Sequence, residues 1–258
     1  MNKDNLDVNF SGEVLHGDDF NYKKIKEWFE DEKEGYSEII GKNYTYGEHE
    51  LNKFHGFNKL KKNNFNKVLL FGGAFGFEIL PIIEKIKEVY IAEPSKKLRK
   101  DKLKGKTLKY VIPSIESKLS FYADSFDLIT CFGVLHHIPN VSSVIKELAR
   151  VLKPGGFLLI REPIISLGDW TRERKNLTKR ERGIPVHLLK KIILNENLKI
   201  VYAKKVIFPI TRRISLNNRF VILLDSLLST LFSWNYHYHP RNIFQKLQPG
   251  SIFFVLRK

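Results

Sequence analysis

Val68-Leu69-Leu70-Phe71 runs without a polar break into Gly72-Gly73-Ala74-Phe75-Gly76, and that loop opens Phe77–Ile86, which reads as a helix. A short apolar run of this kind is a strand buried on both faces. Glycines after it let a ligand approach the backbone, and a helix start offers free N–H groups. The spacing discriminates between ligands. The dinucleotide pattern G-x-G-x-x-G fails from Gly72, where the later positions are Ala74 and Phe77, and from Gly73, where they are Phe75 and Glu78. The shorter G-x-G-x-G fits from Gly72, with Ala74 in the middle and Gly76 last.

Outward from this loop, strands and helices alternate. Val89–Ala92 is a second strand closing on Glu93, 21 positions after Gly72. An acid about 20 residues past such a loop, at a strand end, accepts hydrogen bonds from ribose hydroxyls. Lys96–Leu103 reads as helix, Tyr110–Ile112 as a third strand and Phe126–Phe132 as a fourth. Ser143–Leu152 is a helix with Val144, Leu148 and Val151 inward, stopped by Lys153-Pro154-Gly155-Gly156, and Phe157–Ile160 is a fifth strand. This order predicts an α/β fold, a doubly wound, Rossmann-like, mostly parallel sheet.

The divisions follow: an N-terminal helical cap over 1–65, with helices at Phe20–Glu34 and Tyr46–Phe57, a core over 66–163, and an acceptor-side region over 164–258. The last begins with a polar loop, Ile164–Pro185, followed by a helix at Val186–Leu194 and a strand at Lys199–Phe208. An insertion, 209–250, carries the apolar helix Phe220–Phe232 and precedes the closing strand Ser251–Leu256. The insertion is expected to pack over the sheet, with a dimer face or membrane-surface contact as the other readings.

Composition bounds the rest. Apolar residues make up 43% of 258, which excludes a mostly disordered chain. Cys131 is the single cysteine, so a disulfide framework and a multi-cysteine zinc site are excluded and a reducing, cytoplasmic setting is expected. Residues 1–10 carry no signal segment, and Phe220–Trp234, broken by Asp225, falls short of the ~20 residues of a spanning helix. The net charge of +16 favours anionic partners, although solvated lysines account for much of it. Arg161, Arg172, Arg174, Arg180 and Arg182 concentrate guanidinium groups suited to phosphate. His237 and His239 alternate without a nearby acid, so no metal site is expected.

Asp124-Ser125-Phe126-Asp127 leads through Cys131-Phe132-Gly133-Val134-Leu135-His136-His137-Ile138-Pro139 to Glu147-Leu148-Ala149-Arg150-Val151-Leu152-Lys153-Pro154-Gly155-Gly156. With the glycine loop and Glu93 before it, this series resembles the class I S-adenosylmethionine-dependent methyltransferases of small-molecule type, over about 66–163. The resemblance implies S-adenosylmethionine as cofactor. Gly72, Gly73, Ala74 and Gly76 would wrap its methionine part, Glu93 its ribose hydroxyls, Ser114 and Ile115 its adenine, and Phe132 and Gly133 would line the cleft near the sulfonium. Asp127 would be structural. Two positions depart from the pattern: Leu70 stands where the family often has an acid at the first strand's end, and Ser114 where it often has Asp.

Methyl transfer to a hydroxyl requires alignment and a base. His136, His137 and Glu162 lie at the sheet edge where ligands sit in this architecture, and His187 on the following helix is a further candidate to face the cleft. The expected acceptor is a small molecule, anionic or phosphorylated: a hydroxyl of a sugar or nucleotide-activated sugar from polysaccharide synthesis, met by Arg161, Arg172 and Arg174. A phosphate-type oxygen or RNA is the alternative. Nucleic acid is disfavoured by Phe132-Gly133-Val134-Leu135, where amino-methylating enzymes usually have Asn/Asp-Pro-Pro-aromatic. From another class, a non-catalytic S-adenosylmethionine-binding protein is motivated by Leu70 and Ser114.

Overall fold

The computed structural model describes residues 3–40, 46–62, 64–170 and 172–258. Helices α1 (Lys3–Ser11), α2 (Tyr22–Glu32), α3 (Gly35–Ile40) and α4 (His49–His55) precede the sheet. Asn21 starts α2, its side chain accepting from Lys24 N at 3.1 Å. Among the described residues eight strands form one sheet: β1 (Phe65–Phe71), β2 (Ile86–Ala92), β3 (Lys102–Leu103), β4 (Lys106–Val111), β5 (Phe126–Phe132), β6 (Leu152–Pro163), β7 (Lys199–Val206) and β8 (Ser251–Arg257). Their order is β3-β4-β2-β1-β5-β6-β8-β7. Strands β4, β2, β1, β5 and β6 pair in parallel, and β8 runs antiparallel between β6 and β7. This is the expected doubly wound sheet. Every residue of β5 is buried, as a central parallel strand covered on both faces requires.

Helices α5 (Val141–Val151) and α6 (Val186–Asn195) cover one face. In α5 the spacing of Val141, Val144, Ile145, Leu148 and Val151 places all five inward. The other face is covered by α4, by a 3₁₀ segment at Phe77–Lys85 and by α8 (Arg219–Leu231). The short α7 (Pro209–Arg212) precedes α8, and α9 (Ile243–Lys246) follows it.

Two expected helices are different in the structure. Phe77–Lys85 is 3₁₀, with Pro81 inside it, where a proline removes a donor and crowds the preceding turn. Lys96–Leu98 is a single 3₁₀ turn, and the end of the expected helix, Lys102–Leu103, is the first strand of the β3–β4 hairpin. Lys104 and Gly105, both at positive φ (48° and 79°), make the two-residue turn that matches strand twist. Lys153–Gly156 ends α5 as expected but is itself the start of β6.

Sheet order reverses at β1, with β2 on one side and β5 on the other. The crevice outside the carboxyl ends of these strands is where ligands bind in such sheets. Gly72, Glu93, Gly133 and Glu162 lie at those ends.

Candidate active site

A cavity of about 420 Å³ opens at this edge, within the ~300–1,000 Å³ of small-molecule sites. Gly72, Gly73 and Ala74 form one wall. Gly72 has φ 69°, and a Cβ there would stand 2.6 Å from both Val134 methyls. Ala74 also has positive φ, 43°, a conformation its methyl group disfavours, so the substitution of the pattern's middle glycine is strained. Tyr110 Oη donates to the Ala74 carbonyl at 2.8 Å and steadies the loop.

Glu93 ends β2 with its carboxyl buried against the loop. It accepts from Ser95 N at 3.0 Å and Ala74 N at 3.3 Å. Burial pushes its pKa up to about 7, more than these bonds hold it down. Pro94, Leu98, Pro113, Ile115 and Ser117 continue the wall as a mainly apolar slot.

The opposite end is built on the turn after β5. Glu162 Oε1 accepts from Val134 N (2.8 Å) and Leu135 N (2.9 Å), and Oε2 from His136 N (3.3 Å). His136 Nδ1–H donates to the same Oε2 at 2.8 Å, the tautomer that leaves Nε2 as an acceptor. Nε2 lies 3.7 Å from Glu181 Oε2. Burial and the neighbouring His137 lower the His136 pKa, against the upward pull of Glu162. His137 goes the other way. Burial opposes its charge, but its Nδ1–Glu32 Oε2 bond of 2.8 Å and the charges of Glu181, Glu32 and Glu162 outweigh this and raise its pKa. Beneath the turn, the fully buried Arg182 donates to the carbonyls of His16 (2.8 Å), Ile138 (3.0 Å), Pro139 (3.2 Å), His136 (3.3 Å) and Leu135 (3.4 Å). Arg161 stands over the Phe132 ring and donates to Asn52 Oδ1 at 2.8 Å.

A family described as "Methyltransferase domain" matches residues 69–160, the segment that supplies the loop, Glu93 and the Phe132–His137 turn. The chain carries a class I S-adenosylmethionine-dependent methyltransferase domain. Among curated relatives, the ubiquinone biosynthesis O-methyltransferase of Shewanella halifaxensis is 29% identical over 127 residues, 43% of this chain and 53% of that protein. The chain spans about a fifth to a half of the length of the curated relatives it matches. Two solved structures share the fold. An S-adenosylmethionine-dependent methyltransferase from Mesorhizobium loti has a TM-score of 0.53 at 15% identity, covering 78% of this chain and 95% of that one. The N-methyltransferase NodS from Bradyrhizobium japonicum, in complex with S-adenosylhomocysteine, has 0.52 at 12%, covering 88% and 98%.

In this methyltransferase domain Gly72, Gly73, Ala74, Glu93, Ile115, Phe132, Gly133, His136, His137 and Arg161 converge on the cavity. Six other expected site residues are not among its lining. Gly76 turns the chain beneath the loop, packed toward Ile91 and Leu108. Ser114 is exposed and caps a local turn, accepting from Lys118 N at 2.9 Å. Glu162 is wholly buried behind His136, so it positions the imidazole and cannot itself meet an acceptor. Arg172 is 84% exposed and paired with Asp169. Arg174 is spent on carbonyls of its own loop, Leu167, Thr178, Lys179 and Glu181. His187 is exposed on α6.

The N-terminal cap adds residues that the motifs did not indicate: Phe29, Glu32, Lys33, Tyr46 and Glu48 line the cavity, as do Glu78 and Glu181. The amphipathic pattern of α2 was the available signal, since it marked a helix needing a surface to cover. His136, His137 and Glu181 each place a ligand atom within 4.8 Å of the others, a set able to hold a metal ion, which sequence spacing did not reveal. His239 instead bonds Ser166 Oγ at 2.7 Å and stacks on Phe10. Among the described residues no helix is long and apolar enough to cross a membrane.

Proposed function

We propose that this protein transfers the methyl group of S-adenosylmethionine to a hydroxyl of a small, uncharged acceptor, with His136 as the base. The observation that carries this is the placement of His136 in the cavity wall against buried Glu162, with Nε2 left as an acceptor 3.7 Å from Glu181, another lining residue. The site fits the cofactor: a backbone loop of small residues for its amino-acid part, a buried carboxyl at Glu93 for the ribose hydroxyls, and an apolar slot at Pro113 and Ile115 for the adenine. When bound, it supplies a methyl group on a sulfonium, an electrophile that needs no further activation.

The chain's own residues then have three tasks. The cap and the turn after β5 enclose the acceptor and align it, worth roughly 7–11 kcal/mol of barrier in favourable cases. Glu162 holds the His136 ring in one tautomer and orientation. His136, kept neutral at pH 7 by its lowered pKa, takes the hydroxyl proton at Nε2, worth roughly 10²–10⁴-fold.

The lining argues about charge. Carboxyl groups of Glu32, Glu48, Glu78, Glu93 and Glu181 face it, Glu78 and Glu93 with burial raising their pKa to about 7, against Lys33, Arg161 and His137, whose pKa is raised. With Arg172 and Arg174 outside, a phosphorylated acceptor would meet more acid than base, so the phosphate-oxygen, nucleotide-sugar and RNA readings lose their support. A free sugar hydroxyl, as in polysaccharide synthesis, remains within the class, as does a phenol. Similarity to ubiquinone biosynthesis O-methyltransferases supports the O-methyl reaction class.

The test is titration with S-adenosylhomocysteine, then turnover against phenols and free sugars beside nucleotide-linked sugars and polynucleotide. Turnover of a neutral hydroxyl that collapses in His136→Gln supports the proposal. Binding without turnover across the panel would favour the non-catalytic reading, and preference for a phosphorylated acceptor would overturn the charge argument.

A further inference from the structure

Helix α8 presents an apolar face that the fold leaves uncovered. Val221, Ile222, Asp225 and Ser229 turn toward the protein. Phe220, Leu223, Leu227 and Leu231, spaced by three and four residues, fall on the other side within an arc of about 80°. Phe220 is 75% exposed, Leu227 56% and Leu231 57%. The stripe continues beyond the helix. Trp234 is 79% exposed, and Asn235 Nδ2 donates to the carbonyls of Phe244 (2.7 Å) and Leu247 (3.0 Å), bringing α9, with exposed Ile243 and Phe244, to the same end.

Within residues 207–250 the exposed charges have one sign, and from outside that segment Asp7 lies 3.9 Å from Arg241 and Glu50 N donates to Asn217 Oδ1 at 3.3 Å. Arg212, Arg213, Arg219, Arg241 and Lys246 are all exposed. The one carboxylate in residues 207–250 is Asp225, which is buried and accepts from Ile207 N (3.0 Å), Phe208 N (2.7 Å) and the Thr211 hydroxyl.

We propose that this face docks on an anionic lipid bilayer. A helix with leucines and aromatic rings on one side and cations around it lies in the interface plane, its apolar side among the acyl chains and its cations among the headgroups. At 13 residues α8 is too short to span. A second copy is a poorer occupant, because it would press two cationic rims together on chains each carrying +16. The docked face is one helix from the cavity: α4 packs against α8, and its Asn52 holds Arg161 in the cavity wall. The inference stands apart from which hydroxyl is methylated.

Flotation of the full chain with phosphatidylglycerol–phosphatidylcholine vesicles tests it. The chain is expected to float with these, far less with phosphatidylcholine alone, and to be released by salt. Trp234 emission should shift blue on binding, a shift absent in Trp234→Phe. Leu227→Glu with Leu231→Glu should weaken partitioning by about tenfold or more, and Arg212→Gln, Arg213→Gln and Arg219→Gln together should weaken it selectively for anionic vesicles. Both variants should bind S-adenosylhomocysteine as the parent does, which separates lost docking from lost folding. The proposal is overturned if the chain does not float, if the double variant floats as well as the parent, or if the chain is a dimer that the double variant splits while neither form binds vesicles.

Discussion

Glu32 and His137, 105 residues apart in sequence, meet at 2.8 Å between a carboxylate oxygen and Nδ1. Thr178 Oγ1 and Arg180 N donate to the same carboxylate, at 2.5 and 2.6 Å. One side chain of the cap thus joins the turn after β5 to the loop before α6, and its removal should open the cavity.

In Glu32→Gln the His137 pKa should fall, because the Glu32 charge and its charge-assisted bond no longer add to the pull of Glu181 and Glu162. A folded-state pKa raised above the unfolded value contributes stability that is present at low pH and lost as pH rises through it. The variant should therefore be less stable by roughly 1–3 kcal/mol near pH 6, with a smaller deficit at alkaline pH. Thermal melts of both proteins across pH would show this; a deficit that did not narrow would assign the whole effect to the other two bonds.

His136→Gln should lower kcat by roughly 10²–10⁴-fold while S-adenosylhomocysteine affinity stays within about twofold. Activity of the parent should rise with pH through an acid limb below 6.5, the ordinary imidazole value, since the base must be neutral. Glu162→Gln removes an upward pull on that pKa, so the limb should move to lower pH as the plateau falls. A pH–rate profile separates this positioning effect from a simple loss of folded protein, which would lower the plateau alone.

Cofactor affinity should weaken on acidification through pH 7, where Glu93 takes up its proton and loses an acceptor site. Calorimetry with S-adenosylhomocysteine at pH 8 and pH 6 measures this. Glu93→Gln should bind weakly and without that pH dependence.

Asp127 is held by Asn66 N (2.7 Å), Lys67 N (2.9 Å), Lys62 Nζ (3.1 Å) and Lys153 Nζ (3.2 Å). Burial works against its charge, but these partners prevail and bring its pKa down to about 2. Its contribution is present above the unfolded value and lost as pH falls through about 2. Asp127→Ala should cost roughly 1–3 kcal/mol at pH 7 by stranding two backbone donors. Denaturant melts should show the deficit at pH 7 and a smaller one at the acid end.

Ala74→Gly should relieve a left-handed alanine and raise stability by up to ~1 kcal/mol, the steric relief being partly offset by glycine's greater unfolded-state freedom. A lower melting temperature would mean that the methyl group packs usefully.

The half of the site that was legible in sequence is the half written locally. Gly72–Ala74, Glu93, Phe132-Gly133 and the two histidines follow strands whose ends are marked by composition. The half that was not legible depends on folding partners. Nothing near Glu32, Tyr46 or Glu181 in the chain says that these side chains reach across to the sheet edge. Arginine density in 161–182 marked the right loop but not the direction of each guanidinium: Arg161 faces the cavity, Arg172 faces solvent, and Arg174 and Arg182 bind backbone. Lys104-Gly105 carries the turn that replaces the expected helix after Leu98, and Pro81 accounts for the 3₁₀ form of the helix at Phe77–Lys85.

Arg182 has a consequence for how the protein is made. Its guanidinium closes contacts back to Leu135 and as far as His16, 166 positions earlier. Such distant closures are entropically slow and come late in folding. On the ribosome, the sheet strands up to β6 emerge before residue 182, so the cofactor half can form on a nascent chain while the His136–His137 turn still lacks its clamp. Acquisition of cofactor affinity should precede acquisition of the mature acceptor end, and refolding followed by the two readouts should show them separated in time.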